Sequence, residues 1–223
     1  MDFDFDEYQP DSDFINTVWR TRSEQVNSFM SRAVSHWELV ITKQRGKTAM
    51  SLVGPITRAY LTPVPPNAEF LGIQLKHGRF MPNFQTDKLV NAGLELPKAS
   101  GNRFWLNGAA TALPDFDHAD VFVERLVRDG SLVKDPVVEA VLQDEPVDLS
   151  LRTVQRRFLK ATGLTYKAIQ QIERVEKATN LLQSGVAIAD VIYQTGYADQ
   201  PHLTRSLKQL IGQTPAQILK VSK

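Results

Sequence analysis

Residues 196–215 read G-Y-A-D-Q-P-H-L-T-R-S-L-K-Q-L-I-G-Q-T-P, and no other stretch limits the folding of this chain as tightly, because it carries the punctuation of a complete helix. Gly196 suits the left-handed residue that closes a preceding helix, and Asp199 is a favoured N-cap. Gly212 and Pro215 end the helix that Asp199 opens. At about 100° per residue, Leu203, Leu207, Leu210 and Ile211 share one apolar sector. Pro201, His202, Arg205, Lys208 and Gln209 point the other way. One face packs, and the other is free to read something.

Residues 187–195 (A-I-A-D-V-I-Y-Q-T) form a short helix before Gly196, so 187–211 reads as helix, turn, helix. Such a unit sets its second helix in the major groove of DNA with the N-terminal residues toward base edges. That assigns Gln200, His202, Thr204 and Arg205 to a reading face, with Lys208 as a phosphate contact. Gln200 lies nearer the packed side, so its role depends on its place in the first turn. Arg205 is the strongest reader, since a guanidinium fork matches guanine O6 and N7.

A second capped helix repeats this geometry. Ser150 caps 151–160, where Leu151, Val154, Phe158 and Ala161 form the inner face. Arg152, Arg156 and Lys160 project outward with Gln155 on the flank, and Gly163 stops the helix. Between the two lies a helix from Thr165 to Ser184, ended by Gly185, whose apolar residues Ile169, Ile172, Val175, Ala178 and Leu181 recur every third position. A three-residue repeat drifts about 60° per step around the helix, which suits a rod gripped on different sides at its two ends. At about 1.5 Å per residue it is roughly 28 Å long, close to the roughly 34 Å between successive major-groove faces.

Charge divides along the same line. From Ser150 onward there are 11 Lys+Arg and 4 Asp+Glu, net +7; residues 1–148 have 15 and 21, net −6, which together give the overall +1. A basic third suggests an anionic partner, a condition that DNA, RNA and an acidic membrane surface all satisfy. The two capped helices and their spacer favour DNA.

The first half is read differently. Residues 2–13 hold six carboxylates and no basic group, the composition of a frayed tail. Residues 36–43 and 48–53 are rich in β-formers around Gln-Arg-Gly-Lys, a four-residue hairpin loop, and 69–76 alternates as a further strand. Prolines 55, 63, 65, 66 and 82 break the region. Short strands at this spacing suggest a small β-sandwich or open barrel over 14–113. Residues 119–128 and 136–142 are helical within a connector over 114–149, and 143–148 interrupts it.

Several chemistries are excluded or unsupported. With no cysteine, disulfides, zinc ribbons, iron–sulfur clusters and thiol nucleophiles drop out. His36, His77 and His118 stand apart without a ligand-like pair, so no metal and no cofactor is expected. Trp19, Trp37, Trp105, Phe70, Phe80, Phe84 and Phe104 read mainly as core. No catalytic group has the required context, so the chain is read as a non-enzyme. The acidic N-terminus is unlike a signal peptide and no run of about 18 apolar residues occurs, which points to the cytosol.

Residues 150–220 resemble the DNA-binding domain of AraC-type bacterial transcription regulators. The matching residues are S-L-R-T-V-Q-R-R-F, then G-L-T, Arg174 with Ala178 and Leu181-Leu182, G-Y-A-D-Q-P-H-L-T-R-S-L-K, and G-Q-T-P at 212–215. The resemblance implies two helix-turn-helix units joined by a long helix, with base contacts from Arg152, Gln155, Arg156, Gln200, His202, Thr204 and Arg205. More weakly, V-G-P-I-T-R and F-L-G-I-Q-L-K-H-G resemble the β-rich N-terminal domain of some members. That implies an effector-binding or oligomerising role, a small-molecule effector, a second copy of the chain and RNA polymerase being the candidate partners beside double-stranded DNA. Two departures stand out. The first unit normally has a supporting helix ending in glycine just before the capping serine, whereas 143–148 brings proline and acid, which implies a differently presented first reading helix. Ile192 also stands where the second unit has alanine.

The expected architecture is therefore α+β: an N-terminal β-rich sandwich or open barrel, followed by an all-α domain at 150–223 with two helix-turn-helix units. The rival reading is a small-molecule-binding or enzymatic β-barrel whose helical domain mediates protein–protein interaction.

Overall fold

The hairpin expected around Gly46 lies inside the main sheet of the computed structural model, which describes residues 5–25 and 27–221. In chain order the strands are β1 (Asp6–Tyr8), β2 (Ile15–Ser23), β3 (Asn27–Ser31), β4 (Glu38–Gln44), β5 (Lys47–Val53), β6 (Tyr60–Val64), β7 (Ala68–Leu75), β8 (Arg79–Phe80), β9 (Gly93–Glu95), β10 (Arg103–Leu106), β11 (Ala109–Ala112) and β12 (Val133–Lys134). The helices are α1 (Thr86–Leu89), α2 (Ala119–Arg128), α3 (Pro136–Leu142), α4 (Leu151–Thr162), α5 (Tyr166–Gln183), α6 (Ile188–Thr195), α7 (Gln200–Leu210) and α8 (Pro215–Val221). A β-rich first part thus precedes a helical second part.

The main sheet is antiparallel in the order β1-β2-β7-β4-β5-β9. It is open, with β1 and β9 at its edges. The β4–β5 loop has two residues rather than four, because Arg45 and Gly46 both take positive φ (48° and 70°) and form the tight turn whose twist suits a hairpin. Alternation places Ile15, Val18, Leu39, Ile41, Met50, Leu52, Ile73 and Leu75 on the buried side. There they meet Phe104, Leu106, Leu132 and the inner face of α2, namely Ala119, Phe122, Val123 and Leu126. Gly72 in β7 faces Trp19 in β2, and a Cβ at Gly72 would fall 2.1 Å from the indole. Trp37, Phe80 and Phe104 are buried as expected of core, but Trp105 is exposed.

The acidic segment read as a frayed tail is ordered in part. Asp6–Tyr8 pairs antiparallel with β2, Asp6 forms an ion pair with Arg20 (2.6 Å), and the Tyr8 hydroxyl donates to Phe116 O (2.9 Å). These partners supply what the local composition lacks. Residues 1–4 of that segment lie outside the described residues.

The chain forms two compact units whose segments interleave. One comprises residues 1–27, 36–55 and 64–165; the other comprises 28–35, 56–63 and 166–223. The sheet and its core, with α1 to α4, make up the first unit. The second contains α5 to α8 and, in addition, the two-stranded ribbon of β3 and β6.

Three helical details differ from the sequence reading. Leu151, expected inside, stands at the first position of α4 and is 72% exposed. On α5 the buried residues are Ile169, Ile172, Val175, Ala178, Thr179 and Leu182, so Leu182 at a four-residue step takes the place expected of Leu181, while the three-residue steps from Ile169 to Ala178 keep the stripe winding. Pro215 does not merely end α7 but begins α8. Thr214 Oγ1 accepts from Gln217 N (3.3 Å) and Gln217 Oε1 accepts from Thr214 N (2.8 Å), which is a reciprocal capping box.

Candidate nucleic-acid interface

Where α6 ends and α7 begins, both boundaries have a local cause. Gly196 has φ 68° and closes α6, with Tyr197 N returning to Ile192 O at 3.1 Å. A non-glycine residue would be strained there. Two residues on, the Asp199 carboxylate accepts from His202 N at 2.7 Å and opens α7, with Pro201 in its first turn. Leu203, Leu207 and Leu210 of α7 are buried, together with Ile211, Val191 of α6 and Ile218 of α8. This packing fixes which side of α7 is left outside.

On that side Gln200, Arg205 and Lys208 are exposed, and Arg205 and Lys208 form no ion pair among the described residues. A guanidinium and an ammonium in water with no carboxylate partner keep their full donor capacity for phosphate or base edges. Thr204 and His202 are half-buried. The His202 ring stands edge-on to Tyr197 (centroids 5.0 Å, 87°). With Arg174, Tyr197, Ser206 and Gln209 it lines a cavity of about 270 Å³. Burial pushes the Tyr197 phenol above its ordinary value, against the Ser206 hydrogen bond and the Arg174 charge, which lower it.

The other sequence-derived site lies on α4, in the first compact unit. Ser150 Oγ accepts from Thr153 N at 3.3 Å, and Gly163 with φ 73° closes the helix. Arg152, Gln155 and Arg156 are exposed, whereas Phe158, Ala161 and Thr162 are buried. Arg157, which helical periodicity alone does not single out, has a structural task. Its Nε donates to both oxygens of Asp135 (3.0 and 2.9 Å), the residue whose carboxylate also caps α3. The Asp135-Pro136 start of α3, one helix upstream of the arginine pair, was the available signal.

The irregular stretch before Ser150 also has a local explanation. Asp144 takes a left-handed φ of 55°, and Glu145 N reaches back to Ala140 O at 2.9 Å. An aspartate thus does what glycine does in a helix-closing motif. Glu139 is engaged by Arg79 at 2.8 Å and by Lys134 at 3.8 Å. Asp144, Glu145 and Asp148 are exposed and unpaired among the described residues.

The histidines are less scattered than the sequence suggests. His36 and His77 stack with ring centroids 4.0 Å apart, brought together where β4 begins and β7 ends. His118 is bound to Asp115 at 2.7 Å. Among the described residues no three His, Asp or Glu side chains gather as a metal site would need, and no helix is long and apolar enough to cross a membrane.

Comparison with known proteins places the match on the helical part. The family described as a helix-turn-helix domain matches residues 145–220. The HTH-type transcriptional regulator RipA of Corynebacterium glutamicum is 34% identical over 87 residues, which is 38% of this chain and 26% of that protein. RipA of Corynebacterium diphtheriae is 35% identical over 69 residues, 31% of this chain and 21% of its own length. The chain spans about a quarter of the length of these curated relatives. Among solved structures, apo ToxT of Vibrio cholerae aligns over 97% of this chain and 100% of its own, at 10% identity and a TM-score of 0.45. A second ToxT structure gives 0.44. Residues 145–220 thus resemble a helix-turn-helix domain.

Proposed function

We propose that the chain is a sequence-specific DNA-binding transcription regulator of the AraC type, and that α7 is its principal reading helix. The observation that carries this reading is the exposed, unpaired Arg205 and Lys208 on a helix capped by Asp199 and closed against α6 through Gly196. In a helix-turn-helix the first turns of the second helix lie along base edges. Gln200, Thr204 and Arg205 therefore read bases and Lys208 holds phosphate. His202 belongs to the same turn and reads only with the part of its ring that Tyr197 leaves uncovered. On α4 the readers are Arg152, Gln155 and Arg156. The carboxylates of Asp144, Glu145 and Asp148 weaken the approach of that helix to a phosphate backbone.

A small-molecule effector fits the open groove of about 490 Å³ on the sheet unit, where Ile41, Leu71 and Phe116 share the lining with the Arg20–Asp6 and Arg22–Glu69 ion pairs. The two arginines are already paired and Lys43 shares the lining with Asp115 and Asp117, so the groove suits an amphipathic ligand over a strongly charged one. RNA polymerase and a second copy of the chain are the macromolecular partners that go with this role.

Selection from random duplex DNA tests the reading. A bound consensus supports it, and its length reports whether one or both helices engage. On the selected duplex, Arg205→Ala lowers affinity by about 1–3 kcal/mol and barely changes binding to unrelated DNA. Lys208→Ala lowers both, and reduces the slope of log affinity against log salt by about one. Equal losses from both variants on every sequence would refute this division of roles.

A further inference from the structure

A helix leaves its last four carbonyls without donors of its own, and the groups that supply them fix where the helix ends and how it points. For α7 each of those carbonyls can be accounted for. Leu207 O accepts from Ile211 N (2.8 Å) and Gly212 N (3.0 Å), and Lys208 O accepts from Gly212 N (3.2 Å). The last two are served from the other end of the chain. Ala59 N donates to Gln209 O (2.8 Å) and Ala33 N donates to Leu210 O (2.7 Å). Both donors lie in the β3–β6 ribbon segments of the same compact unit as α7.

The ribbon is built to hold them in place. Val34 and Ile56 exchange main-chain hydrogen bonds of 2.9 Å, and the hydroxyls of Ser31 and Thr62 bond across the strands. Ala33 and Ile56 are buried. At the closing residue Gly212, a Cβ would lie 2.7 Å from Met30 and 3.3 Å from Ala59, so the ribbon also presses on the turn after α7. The same device recurs on α4, within the first unit. There Thr86 Oγ1 donates to Lys160 O (2.9 Å) and Trp37 Nε1 to Ala161 O (3.0 Å).

Accepting the DNA-reading role proposed above, we infer that residues of the β-rich half are part of the reading apparatus: Ala33 and Ala59 by their main chain, Thr86 and Trp37 by their side chains, set the pose of the two reading helices from their C-terminal ends. These are positioning residues and touch no DNA. The leverage is geometric. The first turn of α7 lies about 16 Å from the capped end at about 1.5 Å per residue, so a tilt of about 4° at the cap moves the reading side chains by about 1 Å. That exceeds the roughly 0.5 Å within which a recognition constellation must be held.

The test uses the full chain and the duplex selected above. In the wild type, the Ala33 and Ala59 amides exchange slowly with solvent and slow further when the duplex is bound. Exchange as fast as in an open loop, or no change on binding, overturns the inference. Ala59→Pro removes one donor. The expected result is about a tenfold loss on the selected duplex, little change on an unrelated duplex, and an unaltered tryptophan-emission melt, since Trp19, Trp37 and Trp105 all lie in the sheet unit. Undiminished discrimination, or equal loss on both duplexes, overturns it. Leu61→Ser, at an exposed ribbon position, leaves binding unchanged. Thr86→Val, nearly isosteric, repeats the test at α4 if Ala59→Pro does not fold. Failure to select any duplex refutes the DNA role instead, and slow exchange at Ala33 and Ala59 is read separately from it.

Discussion

Arg156 and Arg157 are neighbours of the same type in different surroundings, one exposed on α4 and the other bound to the buried Asp135. Nothing in a string of basic residues separates a reader from a strut; the separation comes from a carboxylate placed by another helix. His36 and His77 make the same point through their protonation. Burial, then the neighbouring His77, holds His36 down to about 3, and burial, then the Arg79 charge, holds His77 down to about 4. Unfolded histidine titrates near 6.5. Between about pH 4 and 6.5 the unfolded chain therefore binds protons that the folded chain refuses, and stability falls as the pH falls, by about 1.4 kcal/mol per pH unit for each histidine. Burial raises the Glu38 carboxyl, an effect of opposite sign, so the clean observable is a difference. Denaturant midpoints measured from pH 7 to pH 4.5 should fall less steeply in His77→Gln than in the wild type. Parallel curves would mean that the stacked pair does not stay neutral.

At the scale of elements, local chemistry was legible wherever it was self-sufficient. The helices α2 to α7 could be read from their caps and periodicity, as could the β4–β5 hairpin and β7. The helix α8 was equally readable from Thr214, Pro215 and Gln217, since threonine followed three residues on by glutamine is a capping-box signature; taking Pro215 only as a stop hid it. What could not be read is pairing between distant segments, such as β1 on β2, or β3 with β6. β1, β3 and β6 are short, and their sequences do not state which edge they will meet. Gly72 shows the cost of leaving cross-strand neighbours out. Within β7 it looks like a weak point, yet it is the space in which the Trp19 indole lies. Gly72→Ala should force that ring aside, weaken its hydrogen bond to Glu38 and destabilise the sheet unit by about 1–3 kcal/mol. Urea unfolding followed by tryptophan emission measures this, and an unchanged midpoint would mean that the indole has room to move.

Over the whole molecule, composition and contacts divide the chain differently. Charge changes sign near Ser150, while the compact units exchange chain at 27/28, 35/36, 55/56, 63/64 and 165/166. The matched segment 145–220 therefore contains the proposed reading side chains but not all of the groups that finish its helices. A fragment of residues 145–223 makes the consequence measurable. It keeps Arg205, Lys208 and a basic surface, so it should still bind DNA in a strongly salt-dependent way. It lacks the donors to Gln209 O and Leu210 O, the buried Ala33 and Ile56, the Asp135 partner of Arg157, and the Thr86 and Trp37 bonds to α4. A carbonyl that loses its donor costs about 1–3 kcal/mol when it stays shielded from water, and two such losses at one helix end are large beside the total stability of a small helical unit. Hydrogen exchange at Leu207 and Leu210 should therefore be faster in the fragment than in the full chain by at least about tenfold, with discrimination between selected and unrelated duplexes falling in step. Equal protection in the two proteins would mean that α7 closes its own end, and that the ribbon passes through its unit without supporting it.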